Sequence, residues 1–585
     1  MDIEKKYDAV IVGGGISGIC AALASARKGL RTALINNRPV LGGNASSEIR
    51  MHICGADYHG SKPNTRETGI IEELLLANKA VNYNNSFSIL DTVLWEKTKF
   101  QENLDLYLNT HLYKVEVSKN TIKKIFCNQL TTEKQFIFTS DYYVDTTGDG
   151  YLGFLSGAEF MTGKESKSTF NESLAPDTQQ NITMGNTLMF KAVKLDKKVP
   201  FKKPNWAKTF TEEDLKYRDH SNFDFGYWWI ELGGDKLNTI TDSEEIRDEL
   251  LKNVFGVWDH IKNSGHHDAD NYFLDWVGFL PGKRESRRLC GDYVLNENDL
   301  LSGRIFEDAV AYGGWPMDIH VAGGISNKDE PTKWNCDNLL YSIPYRSLYS
   351  KNISNLFIGG RAISASHVGF SSTRVMATCG VIGQAIGTAA ALCKKENILP
   401  KELLNKISLL QNALVKDDCY IPGIKEKFDI YKNAKVEASS FKEGYNPENV
   451  INGYQRNFKE KINMWSSTEN DKEKSIIILL ENEKKVDEII IDFNSNLSKE
   501  IMITQVTQNQ KNISNELPHE LVKDYILSLY NKDDNIIYEK RVLDNIQRHN
   551  VHKINSLHVK KIKVQVLETY GIKEAQIFNI KAYKN

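Results

Sequence analysis

The first strongly apolar run of the chain, residues 7–12 with DAVIV at its centre, breaks into GGGISG and resumes as a small-residue stretch, ICAALASARKG. A second short apolar run, TALIN at 32–36, follows. Short apolar runs bounded by turn residues read as strands, and the small-residue stretch between them reads as a helix, so the chain opens on a βαβ unit. The same grammar returns twice. DYYVDTTGDGYLG, 141–153, is a strand entering a glycine-rich turn, and NLFIGGRAISASHVGFSSTRVMATCGVIGQAIGTAAAL, 355–392, is a strand, a Gly-Gly turn, a polar loop and a long helix expected to start near Ser372. A chain that leaves a nucleotide-type domain and returns to it isolates what lies between as a lobe. Beyond Cys419 the pattern changes to short Ile/Val-rich runs (SIIILL, VDEIIIDF, IMITQV, NIIYEKRV, KKIKVQV, AQIFNIKAY) separated by polar turns, the pattern of an all-β sandwich.

The expected architecture is therefore α/β: a Rossmann-like domain in two parts, 1–160 and 346–420, an inserted α+β substrate lobe at 161–345, and a C-terminal all-β sandwich at 434–585. KDDCYIPGIKEKFDIYKNAK reads as the linker before the sandwich, which is expected to fold on its own core.

The opening glycines carry the first chemistry. Gly13 permits a tight turn, Gly15 lets backbone approach a pyrophosphate, and Gly18 lets the helix lie close on the sheet, with phosphate at the helix N-terminus beside Ser17. The acidic residue that normally grips the ribose about twenty residues on is absent, because this strand ends in Asn36-Asn37-Arg38. Asn36 is expected to bond the ribose instead, and Arg38 to cover the adenosine phosphate side.

Composition narrows the classes. Of 585 residues, 41% are hydrophobic and 26% charged, with a formal net charge of −2, so neither a basic nucleic-acid surface nor an acidic tail is present. The eight cysteines are scattered, without a CxxC pair or Cys/His cluster, so no metal site is expected. A reducing, cytoplasmic setting and no membrane span fit this sequence.

GGGISG, LGGNASSEIRMHICGA, DTTGDG, PGKRESRRLCGDY, AYGGWPMDIH and GGRAISASHVGFSSTRVMATCGVIGQAIG occur in order. Together they resemble the FAD-dependent oxidoreductase family, flavoproteins with the glutathione-reductase-type fold, over roughly residues 1–400. The resemblance implies FAD as cofactor. It places Gly42, Gly43, Asn44, Ser46 and Ser47 along the phosphates and ribityl chain, with Leu112, Thr147, Gly148, Asp149, Gly360, Arg361 and Ser372 also on the cofactor. Arg50, His52 and Cys54 would lie near the isoalloxazine, His52 either as a catalytic or flavin-linked group or, like Cys54, as buried scaffold. The helix near Ser372 would aim its positive end at the flavin N1–C2=O edge, whereas Met376, Ala377, Gly380 and Gly383 read as helix packing. The tail, with KVEASSFKEGYNPENVINGYQRN and NMWSS, is similar to galactose-binding-like sandwiches of the discoidin type, with Asn452 where many of those carry Asp.

In the lobe, Arg284, Arg287 and Arg288 crowd around Glu285, and at least one of these arginines should point inward to Glu285 or to substrate. YWWIELGG, 227–234, is expected to form a sheet with aromatic faces. Trp315, Asp318 and His320 sit in a turn-rich loop. His320 and His367 are the candidate bases, because oxidation of a carbinol by flavin needs a group of near-neutral pKa to take the hydroxyl proton while hydride passes to N5. The expected reaction is dehydrogenation of a CH–OH group in a sugar or glycoside, or a redox-neutral version through a transient ketone. The alternatives are reduction of an activated alkene with Arg284 or Arg287 as proton donor, and a carbohydrate-binding protein with structural FAD. No second GxGxxG is evident, so the electron acceptor is expected to be a carrier other than NAD(P)H, and the oligomeric state is left open.

Overall fold

The structure, a computed structural model, describes residues 2–223, 229–458, 461–504 and 513–584. The chain forms two compact units, Met1–Tyr58 with Asn85–Leu410 and Ile503–Lys511, and His59–Asn84 with Gln411–Met502 and Asn512–Asn585.

The first unit is built on a sheet in which β1 (Asp2–Val12) is the hub. On one side β1 pairs in parallel with β2 (Thr32–Ile35), and β2 with β3 (Leu104–Tyr107). On the other side β1 pairs in parallel with β6 (Lys134–Asp145). The strand Leu356–Ile358 continues the parallel run on the end of β6, while β4 (Thr110–Ser118) and β5 (Thr121–Gln129) add an antiparallel meander to its beginning. Ala9, Val10 and Ile11 are fully buried, as expected of a central parallel strand covered on both faces. Val12 is in register with both Ile35 and Asp145, and Asp145 with Ile358. The strands therefore end level, and Gly13, Asn36, Thr146 and Gly359 emerge together at their carboxyl ends, where open α/β sheets bind ligands.

Helix α1 (Ile16–Arg27) lies against the helix Met376–Glu396, and small residues allow the approach. A Cβ on Gly383 would come within 2.1 Å of the Ser17 carbonyl, and one on Gly387 within 2.2 Å of that of Ala21. Met376–Glu396 is long and apolar enough to cross a membrane, but 89% of its apolar window is buried within the protein, as in a core helix.

The inserted region does not separate as a unit of its own. It carries its own apolar cluster, in which the helix Ser243–Asn263 packs Leu250, Val254 and Trp258 against Phe190 and Ile230. The aromatic sheet expected at 227–234 reduces to the two-residue strand Glu231–Leu232, and Tyr227 and Trp228 lie outside the described residues.

The second unit contains the expected all-β module, with seven strands paired antiparallel around the long strands Ser475–Phe493 and His549–Thr569. Of the run IMITQV, Ile501 to Thr504 form no strand, and its last two residues lie outside the described residues. The division differs from the expected one because residues 59–84, anticipated within the first cofactor-binding part, group with the β module. Arg66 explains why. Its guanidinium is buried, pairs with Glu72 at 2.7 Å, and donates to the carbonyls of Ser495 and Asn496 at 3.1 and 3.0 Å and to that of Lys499. A buried charge requires this degree of satisfaction. Arg456 in turn donates to the carbonyls of Asn64 and Arg66. The expected linker is also built in: Asp418, Cys419, Tyr420 and Ile421 are buried, and Asp418 pairs with Arg548 at 2.8 Å.

Candidate functional site

At the carboxyl ends of the parallel strands lies a cavity of about 400 Å³. Its lining brings together Gly13, Gly15, Ser17, Asn36, Arg38, Gly42, Gly43, Asn44, Ser46, Leu112, Thr147, Gly148, Asp149, Gly360 and Arg361. These residues come from six separate stretches of sequence. Gly18 and Ser47 are not in the wall. A Cβ on Gly18 would lie 1.8 Å from the Gly13 carbonyl, so its role is close packing, and the Ser47 N–H donates to Asp91.

The glycine loop is shaped by its neighbours. Gly13 has φ +110°, and a Cβ there would meet the Thr146 carbonyl at 2.3 Å. Gly15 is different: it caps α1 with extended backbone, and a Cβ would meet no protein atom within 4 Å. Beyond it the first-turn N–H groups of α1 have no acceptor in their own helix. Around this cradle, the Ser17 and Ser46 hydroxyls and Arg361 Nη1 are buried without a hydrogen-bond partner among the described residues. Buried polar groups are ordinarily satisfied. Three such groups lining one cavity, beside a helix N-terminus and an open glycine, fit an anionic, polyoxygenated ligand such as the diphosphate and ribityl chain of FAD.

Asn36 corrects the expected ribose contact. Its Oδ1 accepts from the Gly14 N–H at 3.1 Å and its Nδ2 donates to the Val40 carbonyl at 2.8 Å, so the amide braces the loop. The carboxylate at this part of the wall comes from Glu48, which holds Arg38 through two hydrogen bonds of 3.1 and 3.2 Å. Sequence reasoning missed Glu48 because it looked for an acid at the end of β2, whereas this one follows the next glycine turn.

The DTTGDG turn is organised by Asp145, whose buried carboxylate accepts from the N–H groups of Thr147 and Gly153. Asp149 stands in the wall. Burial pushes its pKa up, but Lys283 at 2.7 Å and Arg361 at 3.7 Å hold it below the usual carboxylate value.

The helix expected from Ser372 is two helices. His367–Thr373 ends at Arg374, Val375 is extended, and Met376–Glu396 begins there, so Met376 and Cys379 reach the cavity wall. Ser372 does not. Its hydroxyl donates to the Trp315 carbonyl and bonds the Tyr341 hydroxyl, which ties the short helix to the lobe. Met376, read as packing, belongs to the wall, whereas Gly383 packs on α1 as anticipated.

Arg50, His52 and Cys54 also lie outside the wall. The Arg50 guanidinium sits 4.1 Å from the centre of the Trp276 ring. The Cys54 carbonyl accepts from the Ala377 N–H at the start of the long helix. Loss of hydration lowers the His52 pKa to about 4, so this ring is neutral.

The two candidate bases differ. Both ring nitrogens of buried His320 face carboxylates, Nδ1 at 2.8 Å from Glu231 and Nε2 at 3.0 Å from Asp318. Burial lowers its pKa, but Asp318 and Glu231 outweigh that and raise it; Nε2 is hydrogen-bonded to Asp318, whereas Nδ1 stands at ion-pair distance from Glu231 without a hydrogen bond among the described residues. His320 is therefore faced by acids on both sides, unlike His367. It sits in a chain of buried charges: Arg284 pairs with Glu231 at 2.7 Å, and Arg374, a wall residue, pairs with Asp318 at 2.7 Å. His367 is backed on one side only. Its Nδ1 lies 2.9 Å from Glu285, while Nε2 is buried and has no hydrogen-bond partner among the described residues. Glu285 is itself paired with Arg288 and is among the charges sensed by Arg361 in the cavity wall.

The arginines of PGKRESRR divide accordingly. Arg284 and Arg288 both point inward, Arg288 paired with Glu285 and Glu165. Arg284 is committed to Glu231 and Thr187, and Arg287 stacks 4.0 Å from the Phe154 ring centre, so neither stands free as the proton donor anticipated for an alkene reductase. Trp315 joins Tyr58 and Trp334 in an aromatic cluster with ring centres 5.3–6.1 Å apart; Asp318 and His320, expected in a loop, lie in the strand Met317–His320, which pairs antiparallel with Thr332–Asn335 and sets Trp334 opposite Asp318. In the second unit, Asn452 and Tyr454 line a separate pocket, where Asn452 Oδ1 accepts from the Tyr454 N–H. One further set has no spacing signature in the sequence: Glu212, His220, His260 and His267 converge in the first unit.

A parallel sheet whose strand ends carry this glycine cradle and its unsatisfied donors defines a dinucleotide-cofactor enzyme. The chain belongs to the FAD dependent oxidoreductase family, matched over residues 8–414, and is an FAD-dependent oxidoreductase. Among solved structures it is similar to a fucose-binding module of Streptococcus pneumoniae, at 13% identity over 27% of this chain and 97% of that one, TM-score 0.21. It is also similar to the family 32 carbohydrate-binding module of C. perfringens NanJ in complex with galactose, at 17% identity over 26% and 96%, TM-score 0.20. L-proline dehydrogenase from P. horikoshii matches at 23% identity over 25% and 24%, TM-score 0.17.

Proposed function

We propose that the cavity holds FAD and that the enzyme oxidises a CH–OH group of a sugar or glycoside, with His367 as the base. The residues that would hold the cofactor are the first-turn N–H groups of α1, Ser17, Gly42, Gly43, Ser46 and Arg361, with Glu48 and Arg38 at the part of the wall beside β2. When bound, FAD supplies the two-electron acceptor for the carbinol C–H bond. The protein's task is then to take the hydroxyl proton.

The observation that carries this reading is the free Nε2 of His367. Glu285 accepts from Nδ1–H and fixes the tautomer, which leaves the Nε2 lone pair to receive a proton, and the same carboxylate stabilises the imidazolium that forms. Burial pushes the Glu285 carboxyl up, but His367 and Arg288 beside it hold it below the usual carboxylate value. The sugar class is supported by the resemblance of the tail to galactose-binding-like sandwiches and by the Tyr58, Trp315 and Trp334 rings, since aromatic faces pack well on the C–H faces of a sugar ring.

Anaerobic mixing of the purified flavoprotein with a panel of sugars and glycosides, followed by loss of flavin absorbance, tests the proposal. His367→Gln is expected to slow reduction by the active substrate roughly a hundredfold or more. Failure of every sugar to reduce the flavin removes the substrate class, and an unchanged rate in His367→Gln removes His367 as the base.

A further inference from the structure

Glu212, His220, His260 and His267 are remote from every sequence motif discussed above. Glu212 opens the helix Glu212–Leu215, where Thr211 caps it, and His220 lies in the irregular segment beyond it. His260 lies in the last turn of Ser243–Asn263, and His267 lies just past its end. The four side chains each turn one ligand atom to a common point, and those atoms all lie within 4.8 Å of one another.

We propose that these four residues form a zinc site that staples the two segments together. The geometry matches the metal. With bonds of about 2.0–2.2 Å, a tetrahedral zinc site has ligand-to-ligand edges of roughly 3.3–3.6 Å. The Glu212 carboxylate lies 3.0, 3.3 and 3.6 Å from Nε2 of His260, His267 and His220, respectively. Small rotations close the remaining edges.

The supporting contacts are those a zinc ligand needs. The His220 ring donates Nδ1–H to the Arg218 carbonyl at 2.7 Å, which fixes the tautomer with the Nε2 lone pair facing the cluster. Nε2 of His220 and of His267 are buried atoms without a hydrogen-bond partner among the described residues. The rings meet edge to face, with the centre of His267 at 4.8 Å from that of His220 and 5.3 Å from that of His260. An ionised carboxylate only accepts hydrogen bonds, so Glu212 cannot satisfy the Nε2 lone pair of His220, and converging lone pairs repel one another; a divalent cation resolves both conflicts. Imidazole suits zinc, copper, iron and nickel alike, and the tetrahedral spacing of these ligands selects zinc. Three histidines and one carboxylate fill a tetrahedral shell, so the site is structural and closed.

The test uses the full-length flavoprotein, produced in zinc-supplemented medium and desalted against a weak chelator. Elemental analysis should find about one zinc per chain, and added Zn²⁺ should raise the melting temperature of the chelator-stripped protein. His220→Ala with His267→Ala should lower the zinc content at least tenfold and abolish the shift, while His266→Ala, at a neighbouring histidine outside the set, should keep both. Should the double variant fail to fold by circular dichroism, Glu212→Gln and direct zinc titration of the parent decide the matter. Less than a tenth of a zinc per chain in the parent together with no response to added Zn²⁺, or full zinc content in a folded double variant, overturns the site.

Discussion

Gly15→Val isolates the cofactor cradle from the fold around it. Gly15 has φ −70° and ψ 176°, values open to any residue, and a Cβ added there meets no protein atom within 4 Å. The apoprotein should therefore lose only what a poorer helix cap costs, on the order of 1 kcal/mol. The added methyl groups instead enter the cavity beside the first-turn N–H groups of α1. If they displace the diphosphate from two charge-assisted hydrogen bonds, each worth about 1.5–3 kcal/mol, affinity falls by about 3–6 kcal/mol. That is roughly two to four decades in Kd. The assay is titration of deflavinated protein with FAD, followed by quenching of flavin fluorescence, with a thermal melt of each apoprotein alongside. Gly15→Val binding FAD within threefold of the parent, at matched apoprotein stability, would refute the placement of the cofactor against this loop.

Other substitutions separate packing from binding. Gly18→Ala should destabilise the apoprotein by about 3 kcal/mol, measured by urea unfolding, because its Cβ would lie 1.8 Å from the Gly13 carbonyl; a change below about 1 kcal/mol would contradict it. Arg66→Ala should cost about 3–5 kcal/mol in the same measurement by leaving Glu72 buried without its cation. For the same reason, truncation after residue 433 should yield an unstable chain in which 59–84 has lost Ser495, Asn496 and Lys499, and a soluble product melting like the parent would show that this segment does not need the β module. His52 titrates at about 4 in the folded protein, below the 6.5 of an unperturbed histidine, so its contribution to stability is present above pH 6.5 and lost as pH falls toward 4. His52→Gln should flatten the parent's decline in unfolding free energy between those values, and superimposable pH profiles would exclude this role.

The parts of the fold legible in the sequence were those with a local cause. The run from Tyr7 into the glycines, and the return at Leu356, depend on apolar strands and glycine turns that announce themselves within a dozen residues. The break at Val375 had no such sign. No proline or glycine separates Ser372 from Met376, and the helical pattern runs through, yet the backbone extends at Val375 before the long helix begins. Residues 59–84 were misplaced for another reason. Their allegiance is set by Arg66 reaching carbonyls more than four hundred positions away, and backbone carbonyls carry no sequence signature.

The site divides along the same line. Gly13, Gly15, Ser17 and the Gly42–Gly43 turn could be named because phosphate recognition uses backbone, and backbone exposure requires glycine at fixed spacing. The proton-handling residues could be named only as types. His320, in the inserted lobe, and His367, just ahead of the long helix, looked equivalent as polar residues in loops, and their difference lies in partners: two carboxylates around His320, one behind His367. The second carboxylate sets them apart: acids face both nitrogens of His320, whereas the single acid on His367 Nδ1 leaves Nε2 without a hydrogen-bond partner among the described residues. Asp318 could be seen beside His320, but Glu231 and Glu285 come from distant strands and loops. Replacing Glu231 by Gln should therefore lower the His320 pKa, whereas Glu285→Gln should impair flavin reduction as His367→Gln does.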